Sequence, residues 1–195
     1  MTAQISDTVL YRGAEYDLCG IDGEGLFEPQ PYGIEPRMIS TACWRGYYCT
    51  YQVGGDELLL TEVHVGLHDE DAERARRDEG PPLFGVRPRW DERDWCFVYA
   101  PVEVPVSFTG GLLLGRDFIR ELYVHMGFHP GWKYREVHEL LFEQGRLREA
   151  FDRSAAMEAI RGSLKPTDLK PARDASRAEV EAWIKQTFSL RYERG

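Results

Sequence analysis

The chain has 195 residues, with 33 acids against 24 bases for a formal charge of -9, and it is 43% hydrophobic and 12% aromatic. Its five Trp, ten Tyr and nine Phe carry enough apolar surface to offset chain entropy at about 25 cal/mol per Å² buried, which excludes a disordered chain. One domain is expected over residues 1–195, with a β-rich body at 1–151 and a helical C-terminal extension at 152–195, and a core of this size needs neither a disulfide framework nor a structural metal.

The opening MTAQISDTVL has no basic region followed by an apolar run, and nowhere do about 18 apolar residues follow one another, so a cytoplasmic protein with no membrane partner is expected. Cys19, Cys43, Cys49 and Cys96 form no CxxC pair and read as reduced, buried thiols. Charge is uneven. Residues 161–195 carry eight bases and five acids, or +3, which leaves -12 on the rest. An acidic body argues against nucleic acid, whose binding depends on neutralising phosphates, and favours a basic protein partner; it also serves solubility.

Thr8 to Arg12 and Glu15 to Leu18 read as a hairpin about Gly13, and residues 20–37, with four Gly and three Pro, read as a loop. Met38 to Val65 has the composition of two antiparallel strands about Gly54-Gly55-Asp56. Alternation puts Cys43, Arg45, Tyr47, Cys49, Tyr51 and Val53 on one face of the first strand and Trp44, Gly46, Tyr48, Thr50 and Gln52 on the other. In the second strand Leu58, Leu60, Glu62 and His64 oppose Leu59, Thr61, Val63 and Val65. Residues 68–82 form a charged surface excursion with room for one exposed helical turn.

Beyond it, Trp95 to Ala100 and Val102 to Phe108 read as strands, placed at an edge or bulge by Pro101 and Pro105. Leu112 to Leu114 follow Gly110-Gly111, a turn is expected at Gly115-Arg116-Asp117, and another strand at Phe118 to Met126. Glu136 to Phe142 and Leu147 to Phe151 flank Gln144-Gly145 as a hairpin, although their residues also suit a helix. A short helix is expected at Ser154 to Arg161, with Ser154 as cap, and Gly162 to Ala175 reads as an extended connection. Ser176-x-x-Glu179 is a capping box, and Val180, Trp183, Ile184 and Phe188 recur at helical spacing, so residues 177–190 should be an amphipathic helix. Strands followed by helices give the expected class: α+β, a mostly antiparallel curved sheet, half-barrel or sandwich-like, with C-terminal helices packed on it.

Chemistry-bearing residues are few. Neither His64/His68 nor His125/His129 is an HExxH pair, but a turn at Gly127 would let His125, His129 and His138 hold a metal beside Glu136. No GxSxG elbow and no phosphate-cradling glycine motif is present, and no cofactor is expected. Arg45, between Trp44 and Tyr47, stands among aromatic and small residues, so it must pair with a carboxylate, stack on a ring or bind a ligand anion. Phe128, Trp132 and Tyr134 lie in a Gly/Pro loop and read either as interface anchors or as a loop folded over the core.

The stretch Ser40-Thr41-Ala42-Cys43-Trp44-Arg45-Gly46-Tyr47, with the following glycine turn, the hairpin at Thr8 to Leu18 and the strand at Gly110 to Leu114, resembles a group of uncharacterised bacterial proteins. The resemblance covers residues 8–66 and 107–151 and implies a β-rich bacterial domain; it transfers no catalytic residue. The expectation from residues and charge is a non-enzymatic binding module, of the immunity or inhibitor type, that engages a basic partner. A small metal-dependent hydrolase or ligand-binding barrel using the His125/His129/His138 region is the alternative, and a subunit that packs its last helix on a neighbour is a third reading.

Overall fold

A computed structural model describes residues 2–164, 171 and 174–192. The strands are β1 (Thr8–Tyr11), β2 (Ala14–Glu24), β3 (Tyr47–Gly54), β4 (Glu57–Val65), β5 (Arg89–Asp91), β6 (Cys96–Tyr99), β7 (Val104–Pro105), β8 (Thr109–Phe118), β9 (Tyr134–Glu143) and β10 (Arg146–Asp152). The described helices are α1 (Asp69–Arg76), α2 (Ser154–Ser163) and α3 (Arg177–Thr187).

The expected open curved sheet is overturned. Seven strands close a barrel in the order β1-β2-β8-β9-β10-β4-β3, and β3 returns to β1. An odd number of strands cannot alternate in direction all the way round, so one neighbouring pair must be parallel, and β1–β3 is that pair. Closure is narrow. Arg146 opposes Glu57, flanked by Leu58 N–H to Gly145 O at 2.8 Å and Leu147 N–H to Asp56 O at 2.6 Å. Beyond that point β7 and then β6 take over the edge of β4, and β5 extends β6 outward. A sequence pattern shows which face of a strand is apolar but not that two edges meet, which is why an open sheet was the expectation.

The interior is filled by side chains from every wall, among them Val9, Leu18, Tyr51, Leu60, Leu112 and Leu140. Bulges at Cys19, Thr61 and Arg148 each insert one unpaired residue into β2, β4 and β10. Each bulge swaps the inward face. Leu58 and Leu60 point inward before Thr61 and Val63 and Val65 after it, so the unbroken alternation expected along this strand fails at that residue. Cys19 is thrown outward into a second cluster with Leu113, Tyr134 and Val137, which α2 covers through Met157.

Other expectations change with the long-range pairing. The loop expected from residue 20 onward begins after Glu24, because β8 pairs with β2 along its length, and β8 itself runs straight through Gly115 to Phe118. No strand follows at Phe118 to Met126; a short 3-10 turn at Arg120–Leu122 begins a loop instead. Val102 to Phe108 contributes only the two residues of β7. The strand expected from Met38 starts at Tyr47, since Ser40 and Cys43 form a turn and Gly46 has φ +78°. A Cβ at Gly46 would lie 2.7 Å from Arg37 O and one at Gly66 2.1 Å from the same atom, so two glycines let the Arg37 backbone lie flat against the barrel.

The charged excursion holds two turns of helix, not one, and buries Ala72 and Ala75. Ser154 does not cap α2: its hydroxyl accepts from Val137 N–H at 3.1 Å, and Asp152 accepts from Ser154 N–H at 2.9 Å. The hairpin at Gln144-Gly145 and the capping box at Ser176 and Glu179 are present as the sequence indicates. Most of the connection expected at 162–175 lies outside the described residues. No described helix is long and apolar enough to cross a membrane.

Candidate functional site

Arg45 is satisfied inside the protein. Its Nη2 donates to Asp7 Oδ1, its Nε donates to Tyr47 O at 2.6 Å, and the guanidinium lies 4.7 Å from the Tyr47 ring centre. Asp7 is 3% exposed and also accepts from Cys49 N–H at 2.7 Å. Burial is the largest single influence and pulls Arg45 down, but the Asp7 charge and hydrogen bond, with smaller contributions from Cys49 and Tyr47, together hold the guanidinium above its ordinary value. Of the alternatives open for Arg45, ion pair and ring stack both hold. The site ties the chain before β1 to the start of β3.

Trp44, beside it, points the other way, 45% exposed and stacked on Phe188 at 5.2 Å between ring centres. The loop at 128–134 is folded onto the outer sheet face. Tyr134 is buried and donates from its hydroxyl to Asp17 at 2.9 Å, and Arg161 donates to Trp132 O at 2.7 Å. Phe128 N–H donates to Thr187 O at 2.8 Å, which fastens the end of α3 to this loop.

The three histidines expected to share a metal are divided between two places. His138 lies at one end of the barrel, edge-on to Tyr11 and Tyr16 and 3.1 Å from Glu136 Oε1, which also accepts from the Tyr16 hydroxyl at 2.6 Å. His125 and His129 flank Tyr123, and His129 Nδ1 accepts from Lys133 Nζ at 3.3 Å. Glu136 is held below its ordinary range chiefly by the Tyr16 hydroxyl and then by His138, with the Arg116 charge adding to it. Among the described residues no group of three His, Cys, Asp or Glu side chains is arranged to hold a metal ion.

Sequence reasoning did not bring Cys96 and His64 together, but Cys96 Sγ lies 3.8 Å from His64 Nδ1, and Glu62 lies 3.4 Å from the other ring nitrogen. The thiol is fully buried and burial pushes it up to about 12, so it carries little thiolate at neutral pH.

A groove of about 390 Å³ lies between α1, the β5–β6 hairpin and the segment that lies on Gly46 and Gly66. Met38, Trp90 and Trp95 supply its apolar lining, and Arg37, Glu73 and Arg76 its charges. Trp95 is 74% exposed and has φ +53°, a left-handed backbone that strains a bulky residue. Its ring stands perpendicular to Trp90 at 6.2 Å, and the Arg76 guanidinium covers Trp90 at 5.4 Å. Arg37 pairs with Asp69 across the groove wall, whereas Glu73 has no ion pair among the described residues. The sequence reading places Trp95 in a strand and assigns Trp90 nothing; the signal for the groove is two tryptophans bracketing the acidic turn Asp91-Glu92-Arg93-Asp94.

Searches against protein-family models, curated proteins and solved structures find no match to this chain.

Proposed function

We propose that the chain is a non-enzymatic binding module that engages a basic protein through the groove between α1 and the β5–β6 hairpin, as an inhibitor of the immunity type masks a basic target. The observation that carries this reading is Trp95: a ring 74% exposed, on a strained backbone, beside a second tryptophan. Exposed aromatic rings of this kind are the residues on which interface energy concentrates, because a large rigid surface leaves water at little entropic cost. The acidic body supplies long-range attraction, and Glu73 on the groove wall, without an ion pair among the described residues, offers a carboxylate for a lysine or arginine. A filled barrel is a rigid platform for such a surface.

Native mass spectrometry of the untagged chain, purified gently at low salt from its own cells, tests the reading. A heteromeric mass with a basic protein is expected. It should dissociate at about 1 M salt, where the Debye length falls to roughly 3 Å, and should be absent for Trp95→Ala. A chain that runs alone, or a complex indifferent to both salt and Trp95→Ala, overturns it.

A further inference from the structure

Three charged side chains are almost fully buried among the described residues: Asp7, Glu139 and Lys133. Asp7 is paired with Arg45 and Glu139 with Arg153, but Lys133, 5% exposed, has no carboxylate partner among the described residues. Among the described residues its ammonium has one hydrogen-bond partner, His129 Nδ1, at 3.3 Å. That bond uses a single ammonium proton. It also requires an unprotonated Nδ1, which puts the imidazole proton on Nε2.

His129 Nε2 is buried and has no acceptor among the described residues. Two neighbouring groups therefore hold more buried donors than acceptors, and such a surplus calls for an acceptor that the described residues do not provide. The surroundings are aromatic. The ammonium lies 5.3 Å from the Trp132 ring centre, and the His129 ring packs on Phe118 at 4.7 Å and Tyr123 at 5.2 Å. Tyr123 is itself 45% exposed and packs on the imidazole, so its ring is a solvent-facing part of the wall around His129. Burial pulls Lys133 down to about 8, and burial followed by the Lys133 charge pulls His129 down to about 4. At neutral pH the pair thus carries one positive charge, on Nζ.

We propose that Lys133 and His129 form a binding site for a small oxyanion, foremost a carboxylate on a compact apolar body, reached by displacement of the Tyr123 ring. The anion supplies the countercharge that Lys133 lacks, in a charge-assisted hydrogen bond, and the rings of Phe118, Tyr123 and Trp132 meet its apolar part. The site shares no residue with the Trp95 groove, so either proposal can fail alone.

The test is nitrogen-detected NMR of the histidine rings in the full chain, titrated separately with acetate, inorganic phosphate and chloride at matched ionic strength. Acetate is expected to shift the His129 ring signals saturably, and Lys133→Met to weaken that response at least about tenfold while the backbone spectrum stays folded. Saturation by phosphate in place of acetate also supports an oxyanion site and identifies phosphate as its source. An equal response to chloride, or no saturable response in either the wild type or Tyr123→Ala, whose cover is removed, overturns the proposal.

Discussion

Arg45 and Lys133 are both cations drawn into the protein, and they are treated in opposite ways. Arg45 meets the Asp7 carboxylate, a backbone carbonyl and a tyrosine face, and Asp7 in turn accepts a backbone N–H of β3. Lys133 meets a neutral imidazole and an indole face. In the first arrangement each partner depends on the other, so the pair is part of the architecture, and two of the three alternatives the sequence leaves open for Arg45, the carboxylate and the ring, are met together. The second leaves a charge uncompensated inside aromatic walls, which is the condition under which a buried ionisable group points to function.

Removing a partner separates the two cases. Asp7→Ala leaves a buried guanidinium and the Cys49 N–H without their acceptor and should cost about 3–5 kcal/mol in urea unfolding. Adding Arg45→Met should recover most of that loss, because an apolar side chain leaves no charge stranded; a double variant no better than Asp7→Ala breaks the interpretation. Glu139→Gln should cost less, about 2 kcal/mol, since Gln keeps one oxygen to accept from the Arg153 guanidinium and can donate its amide N–H to the Tyr192 hydroxyl, while losing the charge. Trp95→Ala should change unfolding by no more than about 0.5 kcal/mol, because its ring is mostly in water, and a large loss would place that ring in the core instead of at an interface.

The difference also marks what could be read from the sequence. Local signals were sufficient where the structure is local: the turn at Gln144-Gly145, the capping box at Ser176 and the apolar clustering of β3 and β4. They failed where distant segments decide. Closure through Arg146 and Glu57 joins residues 89 apart, and no pattern within either hairpin announces it. Bulges such as Thr61 break an alternation for reasons that lie in the neighbouring strand. At the sites, a lone arginine among aromatics was visible, but Asp7, 38 residues away, was not an evident partner. Lys133 drew no notice, because burial is a property of the fold, and the histidine spacing pointed to a metal instead. Spacing put His129 in view; only the structure shows that its neighbour is an ammonium group.

The variant that strands no opposite charge bears most directly on the comparison. Lys133→Met removes a buried charge with no opposite charge to strand, so at pH 7 the variant should unfold within about 1 kcal/mol of the wild type or be more stable. The sign of its pH dependence follows from the same burial. Lys133 lies at about 8 in the folded chain against 10.5 ordinarily, so between those values the unfolded chain binds more protons and the Lys133 contribution to stability rises with pH. The buried thiols act in the other direction, since burial raises Cys96 from 9.0 to about 12, and total stability in this range is a mixture. The wild-type minus Lys133→Met difference cancels the thiols and isolates the lysine. That difference should move in favour of the wild type as pH rises from 8 to 10.5. If it stays flat, Lys133 has found a countercharge or water in solution, and the contrast with Arg45 dissolves.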